Sequence, residues 1–213
     1  MLERINAIIA TYNSHEKFFK KVKLYFPPGS SDYQLVQRAY DEARKTCRDQ
    51  KRDNGEPYFP HPRAVAAITM EYLRVRDPEL IAAALTHDLP EDFRKEWSHE
   101  KMQSTFTART AEVVWYVTKP PVEDFDGDRE ARNRFYHRKL LSAPREAQLV
   151  KLPDRLHNTM TLDSTAKSKQ VRKVRETQDF YLPLAEMHTL LVHELEDAIR
   201  VVEASWKKVA EAV

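Results

Sequence analysis

The stretch Leu80-Ile81-Ala82-Ala83-Ala84-Leu85 is apolar throughout, and Thr86-His87-Asp88-Leu89-Pro90-Glu91-Asp92 follows it directly. Asp77-Pro78-Glu79, just upstream, carries a cap-plus-proline signal, so the run reads as a buried helix that starts there. Pro90 has no N–H and disfavours helix at the residue before it, which puts the helix end near His87 and Asp88. Glu91 and Asp92 then fall on the turn that leaves the helix. Four ionisable groups at the end of a buried helix are costly unless each finds a partner or a cation. Neighbours in mid-helix point about 100° apart, whereas at a helix end His87 and Asp88 can converge on one ion. A frayed helix end with solvated acids is the competing reading of these seven residues.

The rest of the chain also reads as helical. Residues 2–26 carry Leu2, Ile5, Ile8, Ile9 and Tyr12 at helical spacing. Pro27-Pro28-Gly29-Ser30-Ser31 breaks that run, and Asp32 is the expected N-cap of a helix from Tyr33 to about Lys51. One face of this helix is Leu35, Val36, Ala39, Tyr40, Ala43 and Cys47. A loop to Pro60 follows, and His61-Pro62 opens a helix with His61 at the cap and its side chain free to face inward. Further helices are expected at about 98–104, 107–118, 128–142 and 144–162. The last runs from Lys167 to near the C-terminus, kinked at Pro183. No stretch alternates with period two, so the expected fold is all-α without repeats. Residues 1–30 are expected to be an N-terminal helical extension and residues 31–213 the main domain.

Composition excludes several kinds of chemistry. The only glycines, Gly29, Gly55 and Gly127, are isolated, so neither a P-loop nor a dinucleotide-binding glycine fingerprint exists. If this chain handles phosphates, it must do so with a metal and with Lys or Arg side chains. There is no Gly-x-Ser-x-Gly elbow either. With 35 basic and 33 acidic residues, the charge balance gives no ground for a polymeric nucleic-acid partner. No apolar run approaches the ~18 residues of a membrane span. The single cysteine, Cys47, reads as a small core residue. With no secretory order at the N-terminus, the expected location is the cytoplasm.

Three separated segments offer inward-facing ligands of compatible type: His61, His87-Asp88, and Asp154 within Val150-Lys151-Leu152-Pro153-Asp154-Arg155-Leu156-His157-Asn158. Two imidazoles and two carboxylates suit Mn, Fe, Co or Zn better than Ca. His15, His99, His137, His188 and His193 lack such a context and read as surface or core residues.

The order Gly55-Glu-Pro-Tyr-Phe-Pro-His61-Pro, His87-Asp88-x-x-Glu91-Asp92, Val117-Thr-Lys119, Lys151-Leu-x-Asp-Arg-Leu-His-Asn158 and Glu176-Thr-x-x-x-Tyr181-x-Pro-Leu-Ala185 resembles the HD-type hydrolase domain of the RelA/SpoT family. It is most similar to the small stand-alone alarmone hydrolases, over roughly residues 33–190. The resemblance implies an HD-domain helical bundle with a single Mn²⁺ held by His61, His87, Asp88 and Asp154. It implies hydrolysis of the 3′-pyrophosphate of guanosine tetra- or pentaphosphate, giving GDP or GTP and pyrophosphate. A divalent cation with open positions polarises a phosphoryl oxygen and acidifies a water. Glu91 and Asp92, beside the metal, are placed to orient that water and take its proton. One of these adjacent carboxyls is expected to titrate high. By resemblance Arg52 stacks on or pairs with the nucleotide, Asn158 contacts the ribose and Lys173 reaches phosphate.

The chain departs from the family pattern at Asp53, where a basic residue is usual, and at Met160, where arginine is usual. Pro90 and Pro153 are unusual as well. The substitutions at 53 and 160 bear on the substrate, so an adenosine alarmone such as (p)ppApp, or NADPH, is an alternative. A helical regulatory module without turnover is another, although all four ligands and the acidic pair are present.

Overall fold

Helical periodicity runs the length of the chain, and the computed structural model, which describes residues 1–211, is correspondingly helical. In chain order the α-helices are α1 (Leu2–Thr11), α2 (His15–Tyr25), α3 (Ser31–Thr46), α4 (Pro60–Ala67), α5 (Pro78–Thr86), α6 (Leu89–Asp92) and α7 (His99–Thr105). They continue with α8 (Ala108–Val117), α9 (Arg129–Leu141), α10 (Arg145–Met160), α11 (Lys167–Glu176), α12 (Leu182–His188) and α13 (Val192–Glu211). Wide π turns at Ile68–Tyr72 and Thr177–Tyr181 extend α4 and α11. Among the described residues no strand forms, and one isolated bridge pairs Lys51 with Pro57. No described helix is long and apolar enough to cross a membrane.

The helix expected around residues 80–85 is the centre of the packing. Asp77 caps it by accepting from the Glu79 and Leu80 N–H groups, and Pro78 occupies the first turn. Every residue from Leu80 to Thr86 is buried, with α3, α4, α8 and α10 packed around it. One hydrophobic cluster gathers Phe18, Phe19, Tyr40, Ile81, Leu85 and Val114. A second gathers Ile5, Ile68, Leu152, Leu156, Leu184 and Leu195. The long helix α10 lies between them, giving Ala147 and Val150 to the first and Leu152 and Leu156 to the second. This fixes α10 against the end of α5. Cys47 is buried in the first cluster, as its apolar neighbours suggested.

Several expected boundaries move. Residues 2–26 form two helices, because the Ser14 hydroxyl caps α2 by accepting from Lys17 N–H. The α3 cap is Ser30, whose hydroxyl accepts from Tyr33 N–H, while Asp32 sits in the first turn. α3 stops at Thr46, and the chain folds back so that Tyr58 N–H donates to Gln50 O and Arg52 N–H donates to Glu56 O. His61 lies just inside α4, after Phe59 and Pro60, instead of at its cap. The C-terminal region is not one helix kinked at Pro183. Pro183 falls in the first turn of α12, where its missing N–H is not needed, and the break comes later at Thr189 and Leu191.

Candidate metal centre

His61, from the first turn of α4, is buried with 1% of its surface exposed. His87 and Asp88 stand at the junction of α5 and α6, where the Asp88 carbonyl accepts from Glu91 and Asp92 N–H at 3.1 and 2.9 Å. Asp154 enters from α10. One ligand atom each of His61, His87 and Asp88 lies within 4.8 Å of the other two. Asp154 Oδ1 adds to the group, 3.2 Å from His61 Nε2 and 3.5 Å from His87 Nε2. Asp88 Oδ2 is 3.5 and 3.1 Å from the same two nitrogens.

The protonation of His87 follows from its surroundings. Its Nδ1 lies 2.9 Å from the Ala84 carbonyl oxygen, which only accepts, so Nδ1 carries a proton and Nε2 is the nitrogen that faces the cluster. That nitrogen is buried and has no hydrogen-bond partner, and against the effect of burial the Asp88 and Asp154 charges raise the ring well above the ordinary histidine range. A buried, unpartnered imidazole nitrogen facing two carboxylates and a second imidazole marks a site that calls for positive charge, and the nitrogen and oxygen donors fit a divalent metal ion. Both carboxylates are oriented from behind, as metal-binding carboxylates usually are. Asp88 Oδ2 accepts from the Tyr58 hydroxyl at 2.6 Å. Asp154 accepts from Asn158 Nδ2 at 2.6 Å and Lys151 Nζ at 2.7 Å. Burial alone would raise the Asp154 carboxyl, but Lys151 and the two imidazoles outweigh it and hold it well below the usual range.

Glu91 and Asp92 sit beside this cluster. Glu91 Oε2 accepts from the Lys119 backbone N–H at 2.9 Å, and Asp92 Oδ2 accepts from Gln50 Nε2 at 2.6 Å. Burial raises both carboxyls, and the Asp88 charge adds to it; Lys151 opposes the shift at Glu91, and Asp92 is pushed up to about 6. Both members of the acidic pair are therefore raised, where one was expected.

A cleft of about 360 Å³ opens next to Asp92 and brings together the three substrate candidates Arg52, Asn158 and Lys173. Arg52 Nη2 donates to Asn158 Oδ1 at 2.9 Å and to Thr161 Oγ1 at 3.1 Å, and its Nη1 is buried without a protein partner. Lys173 donates to Glu176 Oε2 at 3.0 Å. Asp53 also lines the cleft, and there it forms an ion pair with Lys169 of α11. Met160 does not line it. That side chain packs against the second hydrophobic cluster, because residues two apart on a helix point about 200° apart and Asn158 takes the cleft side.

Sequence reasoning gave no role to several residues that complete the site. Lys119 and Arg155 join the already expected Lys173 around the mostly buried Glu176, and Lys151 braces Asp154. Burial, with Lys173, Arg132 and Lys151 nearby, lowers the Lys119 ammonium to about 8 against the pull of Glu176. His157 places its Nδ1 2.9 Å from Nδ1 of His61. Lys119, Lys151, Arg155, His157 and Glu176 all lie inside the quoted motifs, and that placement was the only available signal. His137 stacks on Phe180 with ring centroids 3.7 Å apart and approaches Glu176 Oε1, whereas Arg155 approaches Oε2.

The HD domain profile matches residues 39–189. The probable guanosine-3′,5′-bis(diphosphate) 3′-pyrophosphohydrolase of Synechocystis sp. is 37% identical over 153 residues, 71% of this chain and 20% of that protein. The bifunctional (p)ppGpp synthase/hydrolase SpoT of Escherichia coli K12 is 33% identical over 183 residues, 85% of this chain and 25% of that protein. This chain thus spans between a fifth and a quarter of these curated relatives. A solved structure of a metazoan SpoT ortholog, described as hydrolysing ppGpp, superposes with a TM-score of 0.69 at 21% identity, covering 82% of this chain and 97% of that one. At that identity the likeness speaks for the fold. With the matched segment covering well over half of its length and the paired histidines and aspartates meeting where α4, α5 and α10 converge, the chain belongs to the HD-domain family.

Proposed function

We propose that this protein is a Mn²⁺-dependent hydrolase that removes the 3′-pyrophosphate of a guanosine alarmone, (p)ppGpp, to give GDP or GTP and pyrophosphate. The observation that carries the reading is the buried, partnerless His87 Nε2 facing Asp88, Asp154 and His61 beside a polar cleft. In this reading His61, His87, Asp88 and Asp154 hold the metal. A bound divalent cation supplies positive charge that polarises a phosphoryl oxygen and acidifies a water. Asp92, raised to about 6, and Glu91 orient that water and accept its proton as it attacks phosphorus. The ribose 3′ oxygen leaves and takes up a proton. Arg52, with a free Nη1, binds the nucleotide, Asn158 the ribose and Lys173 a phosphate.

Residues 1–30 are proposed as an extension of the hydrolase domain at 31–213, whose last two residues lie outside those described. The extension supplies Ile5, Phe18, Phe19 and Val22 to the core. A nucleotide substrate implies a cytoplasmic location. One observation favours a second substrate reading: the Asp53–Lys169 pair occupies cleft wall where the family usually has a free cation, so (p)ppApp or NADPH is the runner-up.

Elemental analysis and melting curves test the metal site. Asp88→Asn and His61→Ala are expected to lose bound Mn²⁺ and the rise in Tm it confers by mass action. Stoichiometric Mn²⁺ in Asp88→Asn would refute the ligand set.

A further inference from the structure

The two ring nitrogens of His61 face different neighbours. Nε2 points at the carboxylates, 3.2 Å from Asp154 Oδ1 and 3.5 Å from Asp88 Oδ2. Nδ1 lies 2.9 Å from Nδ1 of His157, three residues after Asp154 on α10. Both rings are buried, at 1% and 8% exposure. A nitrogen that binds a cation must be free of its proton, so a neutral imidazole ligand carries that proton on the other nitrogen and needs an acceptor for it. His87 meets this requirement with the Ala84 carbonyl. His61 has no carbonyl or carboxylate at Nδ1; its partner there is another imidazole.

Two proton arrangements are open to that pair, and they differ at the metal site. If His157 Nδ1 donates to His61 Nδ1, the His61 proton sits on Nε2, aimed at Asp154, and its lone pair is blocked. If His61 Nδ1 donates to a bare His157 Nδ1, the His61 Nε2 lone pair faces the cluster. We propose that His157 is the positioning residue for His61: its bare Nδ1 accepts the His61 Nδ1–H and fixes the tautomer that presents Nε2 to a divalent cation. His157 then keeps its own proton on Nε2. Its ring also borders a second cavity, of about 290 Å³, whose lining includes Asn6, Asn13, Arg52 and Thr161. The inference rests on His61 being a metal ligand, as proposed above.

Calorimetric titration with Mn²⁺ separates the two ideas. Asn at position 157 keeps an acceptor oxygen close to where Nδ1 stands, and Leu fills the space without one. His157→Asn is expected to bind Mn²⁺ close to native affinity, His157→Leu roughly 10–100-fold more weakly, and His61→Ala more weakly still. If His157→Leu binds as native while His61→Ala does not, the positioning role is wrong and the ligand stands. If His61→Ala also binds as native, the ligand assignment fails and the inference falls with it. Should His157→Leu not fold, long-range ¹⁵N–¹H correlation NMR of the native protein loaded with diamagnetic Zn²⁺ reads the tautomers directly. His61 protonated on Nδ1 and His157 on Nε2 is the expected result; a proton on His157 Nδ1 overturns the proposal.

Discussion

Asp53 brings an acid into a cleft that the proposed substrate would fill with phosphate, and Lys169 meets it there in an ion pair. The two charges cancel locally, so the cost to an anionic ligand is a missing cation more than an added repulsion. A hydrogen bond to a charged group is worth roughly 1.5–3 kcal/mol. Asp53→Lys frees Lys169 and adds a cation, and is expected to lower KM for ppGpp with kcat little changed, the signature of uniform binding. Met160→Arg is expected to lower Tm and leave KM alone, since position 160 packs on the second hydrophobic cluster. Steady-state kinetics on both variants check this; a lower KM in Met160→Arg alone would reverse the assignment. The same contrast marks what single residues disclosed in the sequence. His87 and Asp88 were legible because one local motif brings them together. Met160 was misread because a departure from the family pattern says nothing about which helix face the side chain takes. The partnership of His157 with His61 joins two elements far apart in the chain, and no local pattern encodes it.

Among the elements, α10 carries a proline in its interior. Pro153 cannot donate to the Leu149 carbonyl one turn earlier, a defect that ordinarily costs ~3 kcal/mol. A hydroxyl in the wide turn after α4 compensates in part: Thr69 Oγ1 lies 3.1 Å from Leu149 O and 3.0 Å from Val65 O, so its one proton is shared between the two. Thr69→Val removes the donor while keeping the shape. A buried carbonyl left unpaired costs ~1–3 kcal/mol, at roughly 2–4 °C per kcal/mol for a chain of this size. The loss of Tm should be smaller in a Pro153→Ala background, where residue 153 again supplies an N–H; equal losses in the two backgrounds would break the link. Helix existence was readable from apolar spacing and from the Asp77-Pro78 start signal. The break after α12 was not. Leu190 N–H donates to Ala185 O and Thr189 N–H to Glu186 O, a Schellman-type ending. It is built on left-handed Thr189 where glycine is usual, so no glycine marked it.

Across the molecule, Glu176 joins four helical segments. Arg155 of α10, Lys173 of α11, Lys119 after α8 and His137 of α9 all face it. Burial would raise its carboxyl, but the His137 ring, 3.9 Å away, and the three cations outweigh burial and depress it. A depressed acid stabilises the fold above its unfolded pKa of ~4.3, and the contribution fades as pH falls below that toward the folded value. Native protein should therefore lose Tm steeply between about pH 5 and pH 3. Glu176→Gln should start lower at pH 7 and show a shallower slope across that window; parallel slopes would remove Glu176 from the account.

The central claim is that this metal centre releases pyrophosphate from ppGpp, and product analysis on the native protein tests it most directly. With stoichiometric Mn²⁺ bound, ppGpp, ppApp and NADPH are supplied in turn and the products and kcat/KM measured. The expected result is GDP and pyrophosphate from ppGpp at the highest kcat/KM of the three. In Glu91→Gln/Asp92→Asn, turnover should fall by roughly 10²–10⁴ while Mn²⁺ content stays unchanged. Mn²⁺-loaded native protein that leaves ppGpp intact would contradict the account.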